Sequence, residues 1–297
     1  MDKKLLLIMN PFSGKKLANK YLADVILLFS QNGYETVSFM TTGIGNATEI
    51  AQKYANCVEK IVCIGGDGTF NEVVSGVLKA NSKTPIGYIP SGSTNDFANS
   101  LELSKNIITA AKDIIYGEPK TYDVGKFNDR YFSYVASFGA FTKASYATPQ
   151  YVKNALGHLA YVLEGTKSIG TIKSEHLKIT IDDEVLEDDY IFGAFSNSTS
   201  VGGILTLDKN IVDMNDGVFE IILVKSPKNL IELTECLIAL TNKKYDSSSM
   251  LVFRSTRKAT IESPDGIDWT LDGEFFSGIE NIEVENIHNA INLIINK

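Results

Sequence analysis

The sequence predicts a doubly wound α/β domain followed by a mainly antiparallel β domain of the sandwich or barrel kind. Three observations predict it. Over roughly the first 120 residues, short apolar runs alternate with stretches whose apolar residues recur at helical spacing. From about Thr121 the texture changes to short strands separated by turn residues. Three strand ends in the first region also run into polar, glycine-bearing loops, of the kind that gather at one crevice in α/β sheets. The expected division is 1–122 and 123–297, with the last strand free to return to the first domain.

The elements follow in order. Lys4–Met9 is an apolar strand stopped by Asn10-Pro11. It is too short for a secretory leader or a membrane span. Leu17, Tyr21, Leu22, Val25, Leu28 and Phe29 make a helical stripe, with Gly33 placed to end it. Tyr34–Met40 is the second strand. Asn46 and Glu49 have capping-box spacing and open a helix. Ile61–Ile64 is a buried strand, Phe70–Lys79 a helix and Pro85–Ile89 the fourth strand. In the second region, strand pairs are expected about Asn128-Asp129 and Asp182-Asp183, and further short strands at "GVFEIILVKS", "MLVFRS", "KATIES", "IDWTLDGEF" and "ENIEVENI". Helical stretches near Tyr151–Ile169 and Pro227–Asn242 interrupt them. The run Leu230–Leu240 is too short to span a bilayer and reads as core.

Composition narrows the function classes. The chain of 297 residues is 44% hydrophobic and 22% charged, as expected of a globular protein. A net charge of −8 argues against general nucleic-acid binding, though it leaves room for a local basic rim. Cys57, Cys63 and Cys236 are scattered, without metal-ligand spacing, and read as reduced thiols. His158, His176 and His288 are too far apart in sequence to suggest a zinc cluster.

The chemistry concentrates in the loops. "IVCIGGDGTFNEVVSG" (61–76) is a strand, a glycine-rich turn and a helix. Glycines there let a ligand approach the backbone and allow positive φ, and the helix start attracts an anion. Asp67 would repel a phosphate unless Mg²⁺ or a hydroxyl lies between them. The competing reading is a tight turn with Asp67 as helix N-cap. "NPFSGKK" (10–16) and "IPSGSTNDFA" (89–98) follow the first and fourth strands and supply hydroxyls, lysines and Asp96. No Walker A pattern is present. Gly43-Ile-Gly45-Asn-Ala-Thr48 imitates a dinucleotide fingerprint, but it follows the wrong strand and lacks the acidic ribose partner.

Together these motifs resemble the diacylglycerol kinase catalytic-domain family, nearest its soluble bacterial lipid kinases. Gly65-Gly66-Asp67-Gly68-Thr69 with Asn71-Glu72 is similar to the family's nucleotide loop. Asn10-Pro-x-Ser-Gly14 and Pro90-x-Gly-Ser-x-Asn95-Asp96-Phe97 resemble its first and third loops. "TYDVGKFNDRYF" resembles the strand entering the second domain, and Leu271-Asp-Gly-Glu274 the late acidic motif.

The resemblance implies roles. Asn10, Pro11, Phe12, Ser13, Gly14, Thr41, Gly65, Gly66, Asp67, Gly68, Thr69, Phe70, Asn71 and Ser93 would line ATP. Asp67 and Asp96, with Asp123, would hold a Mg²⁺ network, and Glu274 would be the general base. A second Mg²⁺ would bind the Asp216 carboxylate and the carbonyls of Asp213 and Val218. "GGILTLDKNIVD" lacks the Pro-x-Ala that many relatives carry before that loop. The activity implied is ATP- and Mg²⁺-dependent phosphorylation of a lipid hydroxyl, first of all on diacylglycerol. The enzyme would be cytoplasmic, meet membranes peripherally and have no transmembrane segment or nucleic-acid partner. A homodimer is a family expectation. Phosphatidylglycerol, a sphingoid base or NAD are alternative acceptors, and a non-catalytic nucleotide-binding regulator is the alternative of another class.

Plainer readings stand beside these. Asp216-Gly217 and Asp272-Gly273 both read as hairpin turns, the second with Glu274 as an exposed strand residue. Asp123 can cap a strand end. Lys15 and Lys16, placed to offset phosphate charge together with Lys20, also read as a solvated face. His158 reads as a packed or surface helix residue.

Overall fold

An apolar strand that ends in a polar turn needs neighbours on both edges and cover on both faces, and β1 (Lys3–Met9) has these. It pairs in parallel with β2 (Tyr34–Met40) on one side and with β3 (Lys60–Gly65) on the other. Leu5 to Ile8 are fully buried, as expected of a central parallel strand covered on both faces. Between these strands run α1 (Ala18–Gln31) and α2 (Asn46–Tyr54). After β3 come α3 (Asp67–Lys79), β4 (Ile86–Pro90), α4 (Asp96–Ser100) and α5 (Ile107–Tyr116). The parallel order is β4-β3-β1-β2, and Gly33, at φ +84, ends α1. This computed structural model describes residues 3–14, 18–139, 173–201, 205–208 and 210–296. The chain separates into two compact units, 1–124 with 288–297, and 125–287.

Sequence reasoning passed over α5. Its signals are present: Asn106 caps it by accepting the Thr109 N–H at 3.0 Å, and Ile107, Ala110, Ala111 and Ile114 form its buried face. The expected capping box at Asn46 is not formed. Gly45, at φ +82, holds the cap position of α2, and the Asn46 side chain turns back to the Thr42 N–H. The cap is supplied from α3 instead. The Glu72 carboxylate accepts the N–H groups of Gly45 at 2.7 Å and Ala47 at 3.0 Å. A carboxylate at a helix start satisfies orphan donors and opposes the dipole.

The second unit is mainly antiparallel, as predicted. Its strands are β5 (Glu118–Phe127, shared with the first unit), β6 (Arg130–Phe132), β7 (Val135–Gly139), β8 (Glu175–Ile181) and β9 (Glu184–Ser196). There follow β10 (Ser200–Val201), β11 (Leu205–Thr206), β12 (Phe219–Lys225), the helix α6 (Leu230–Thr241), β13 (Leu251–Thr256), β14 (Lys258–Leu271) and β15 (Glu274–Ile295). The turns expected at Asn128-Asp129 and Asp182-Asp183 join β5 to β6 and β8 to β9. Asn128 and Asp182 take the left-handed conformation that such turns require. Both β7 and β8 pair with β9 and with β14. Trp269 is the centre of the core, fully buried, with Phe127 and Phe138 rings at 4.9 Å. The last residues of β15 belong to the first unit, where Leu293 pairs in parallel with Ile86.

Candidate active site

Three loops follow β1, β3 and β4, and hydrogen bonds and close packing tie them to one another. Asn10 Nδ2 donates to Thr69 Oγ1 at 3.0 Å, joining the first loop to the second. The hydroxyls of Ser13 and Ser91 lie 2.7 Å apart, joining the first to the third. The second and third meet backbone to backbone: a Cβ on Gly92 would sit 2.6 Å from Gly66 Cα. Gly14, at φ +50, leaves no room for a side chain beside the Ser91 carbonyl. The Ser91 N–H donates to the Gly65 carbonyl at 2.8 Å. The convergence expected of these loops is therefore built from both side chains and backbone of the loops themselves.

The glycines of the second loop serve space, not handedness. None of Gly65, Gly66 and Gly68 has positive φ, and Gly66 is extended at φ −90, ψ −174. The expectation of left-handed backbone there is corrected. A Cβ on Gly65 would meet the Thr69 side chain at 2.5 Å, and one on Gly66 would come within 3.2 Å of Gly92.

Asp67 is the first residue of α3, and Gly66 holds the cap position. Its carboxylate reaches instead to the third loop, accepting the N–H of Asp96 at 3.0 Å and of Phe97 at 3.3 Å. It therefore caps α4, not its own helix, which replaces the simple N-cap reading. Asp67 is buried, and burial pushes its carboxyl up to about 6. The negative charge of Asp96 adds to that rise, while the two N–H groups and the Thr94 hydroxyl oppose it. Two carboxylates crowded at one loop junction make a pair of acceptors suited to a hard cation. Among the described residues no group of three His, Cys, Asp or Glu side chains is placed to hold a metal ion.

The remaining residues of the site sort clearly. Thr41 is buried, its N–H on the Met9 carbonyl. Phe12 is exposed, and its N–H is held by Asn10 Oδ1 at 2.9 Å. Phe70 is fully buried between the rings of Tyr88 at 4.5 Å and Phe97 at 4.7 Å, so its side chain belongs to the core beneath the loop. Ser93 is exposed at the loop tip. Asp123 is buried on β5, accepting His288 Nδ1 at 3.0 Å and the Asn289 N–H at 2.7 Å. Lys15, Lys16 and His158, and the helix expected near Tyr151–Ile169, lie outside the described residues, as do residues 202–204 and 209 of "GGILTLDKNIVD".

In the second unit, Asp272 and Gly273 form the hairpin turn between β14 and β15, at φ +49 and +89. Glu274 follows, exposed and opposite Leu271. The turn is more than a connector. The buried Asp272 carboxylate accepts three backbone N–H groups, from Ser133 at 2.5 Å, Tyr134 at 3.0 Å and Val135 at 3.1 Å. Asp216-Gly217 is not a hairpin turn. The strand before it, β11, pairs with β10, and β12 pairs with β9 and β13. The loop is shaped by Asp213 Oδ1 accepting the Asn215 N–H at 3.0 Å and Asp216 Oδ1 accepting the Val218 N–H at 3.1 Å. The Val218 carbonyl accepts Asn286 Nδ2 at 2.8 Å and keeps a second lone pair.

Comparison with known proteins agrees with this architecture. Residues 4–127 match the model of the diacylglycerol kinase catalytic domain. A diacylglycerol kinase of Bacillus subtilis (strain 168) is 31% identical over 297 residues, 99% of this chain and 97% of that protein. The chain belongs to the diacylglycerol kinase catalytic-domain family. A diacylglycerol kinase of Staphylococcus saprophyticus is likewise 31% identical, over 93% of this chain and 90% of that one. Two solved structures from Bacillus anthracis str. Sterne share the fold. One is 26% identical with a TM-score of 0.80, covering 99% of this chain and 95% of that chain. The other, described as a diacylglycerol kinase, is 24% identical with a TM-score of 0.74 and covers 99% and 97%.

The chain is thus a lipid kinase, and membership of a kinase family implies ATP as phosphoryl donor. No helix among the described residues is long and apolar enough to cross a membrane. The sequence motifs contained Ser91, Gly92, Asn95 and Glu72 without giving them their structural roles: the first three shape the third loop, and Glu72 caps α2. Asn95 takes φ +52 and closes the third loop on itself, accepting the Gly92 N–H at 2.8 Å and donating to the Gly92 carbonyl at 3.0 Å. An Asn in a Gly-Ser-rich turn is the available signal for such a loop.

Proposed function

We propose that this kinase transfers the γ-phosphate of ATP to a lipid hydroxyl, with diacylglycerol as acceptor and Mg²⁺ as cofactor. The observation that carries the nucleotide part is the junction of three loops at Asp67, whose carboxylate is locked to the N–H groups of Asp96 and Phe97. The acceptor rests on relatives named diacylglycerol kinase that align over nearly the whole chain.

In this reading the first unit, 1–124 with 288–297, binds the nucleotide and the second, 125–287, serves the lipid. The loops Asn10–Gly14 and Gly65–Asn71, with Thr41 and Ser93, line the nucleotide. Asp67 and Asp96, with Asp123, would hold Mg²⁺. Their crowding supports that assignment, because burial and the Asp96 charge raise the cost of ionising Asp67 until a cation joins them. When bound, Mg²⁺ supplies charge neutralisation for the phosphoryl group in transfer. The chain's own part is positioning. The loop hydroxyls and N–H groups fix the phosphates, and Glu274, exposed beside a pinned turn, takes the proton of the lipid hydroxyl. A second cation is assigned to the Asp213–Val218 loop. The protein works at a membrane surface as a peripheral enzyme.

The test is incubation of the purified protein with [γ-³²P]ATP and Mg²⁺ against diacylglycerol, phosphatidylglycerol, a sphingoid base and NAD, the lipids in mixed micelles. Label is expected in phosphatidic acid, with at least a tenfold preference, about 1.4 kcal/mol in transition-state terms. Label in another product with none in phosphatidic acid overturns the acceptor. No label in any product overturns the kinase reading as a whole.

A further inference from the structure

We propose that Glu220 is an acidic partner of a divalent cation at the Asp213–Val218 loop, holding it through a bound water. The inference rests on the reading of that loop as a cation site, and it adds a residue that the reading does not contain.

Glu220 is the second residue of β12, between Ser196 of β9 and Ser255 of β13. It is 1% exposed, and its Oε2 has no hydrogen-bond partner among the described residues. A carboxylate in that position is costly unless it is protonated or a positive charge lies beside it. The charges that act on it are those of Asp216 and Asp213, both negative. The described residues therefore leave Glu220 Oε2 unsatisfied.

A second unmet group lies at the same loop. Asn286 is fully buried, and while its Nδ2 is spent on the Val218 carbonyl, its Oδ1 has no partner among the described residues. Both unmet atoms are acceptors. An anion would add to their difficulty, whereas a hydrated cation brings water O–H donors and positive charge together. The loop is already shaped without it, by the Asp213 and Asp216 turns and by Gly217 at φ +84. Since no three carboxylates converge among the described residues, the ion suited to this place is one that keeps several waters, as Mg²⁺ does. Glu220 then acts on the water, orienting it and adding charge, as outer partners do in other metal sites.

The experiment is cation-dependent thermal unfolding of the full chain without nucleotide, with Asp216→Asn separating the gain due to this loop from any due to Asp67 and Asp96. After dialysis against chelator, MgCl₂ is titrated into wild type, Asp216→Asn and Glu220→Gln. Wild type is expected to gain Tm with Mg²⁺. Glu220→Gln is expected to match wild type in chelator but to need about 10–100-fold more Mg²⁺ for the same gain. A Glu220→Gln titration that overlays wild type while Asp216→Asn loses the gain overturns the role of Glu220 and leaves the loop as a cation site. No gain in wild type overturns both. If Glu220→Gln does not fold, Mn²⁺-soaked crystals of wild type decide. An anomalous peak at the loop with a water bridging to Glu220 supports the proposal, and a peak without that bridge overturns it.

Discussion

The Asp67 carboxylate accepts the backbone N–H of Asp96 at 3.0 Å, so the residue that opens α3 fixes the start of α4. One acid thus serves two elements, and its loss has two separable effects. Asp67→Ala is expected to lower kcat by several orders of magnitude through loss of the metal network. It is also expected to cost about 1–3 kcal/mol of stability, because two N–H groups lose a charged acceptor. Radiometric turnover and urea unfolding of the same preparation check the two. Near wild-type kcat would remove Asp67 from the mechanism.

The same carboxyl sets a pH dependence in the metal-free protein. Folding raises Asp67 from about 3.9 in an unfolded chain to about 6. The folded form therefore keeps its proton where the unfolded form has lost it. The stabilisation is complete below about pH 4 and is lost as pH rises through about 6. Tm measured from pH 4 to 7 is expected to fall more steeply in wild type than in Asp67→Asn. Parallel profiles would show that Asp67 titrates normally.

Gly92 and Gly66 touch through their backbones, so either is intolerant of a side chain. Gly92→Ala places a methyl 2.6 Å from Gly66 Cα and 2.7 Å from Asn95 Oδ1. The loops must separate, and ATP affinity is expected to fall at least tenfold, about 1.4 kcal/mol. Gly66→Val acts by the same contact and not through φ, and is expected to be at least as damaging. Calorimetry with folded variants measures both, and unchanged affinity would make the junction a plain structural turn.

Neighbours in the late acidic turn are expected to fail differently. Asp272→Ala leaves three buried N–H groups of Ser133, Tyr134 and Val135 without their acceptor, at a cost of about 2–5 kcal/mol. Glu274 is exposed, so Glu274→Gln is expected to leave stability within about 0.5 kcal/mol. It is expected to lower kcat by about 10²–10⁴ with ATP affinity unchanged, and to remove the acidic limb of the pH–rate profile. A fall of less than about threefold, far below that range, excludes Glu274 as base.

Glu72 offers a control away from chemistry. Glu72→Ala removes the acceptor of the Gly45 and Ala47 N–H groups and is expected to cost about 1–2 kcal/mol. Hydrogen exchange is expected to localise the loss to the first turn of α2. Protection unchanged there would show that solvent satisfies those donors.

The sequence by itself determined the elements whose cause is local. Apolar runs made β1 and β3 buried parallel strands, glycine at position 33 ended α1, and Asn128, Asp182 and Asp272-Gly273 turned hairpins, because each depends only on side-chain period or on which residues tolerate positive φ. The motif order also pointed to the kinase family. Tertiary structure decided which partner each polar group found. Asn46 and Glu49 had the spacing of a capping box, yet Glu72, far along the chain, outcompeted them for the start of α2. Asp67 passed over its own helix for the N–H groups of Asp96 and Phe97, and Asp272 took those of a loop more than a hundred residues earlier. Phe70, in the nucleotide motif, went to the core because two rings were waiting there. A carboxylate reaches whichever donors the fold brings within about 3 Å, and that proximity exists only once the strands have set the loops side by side.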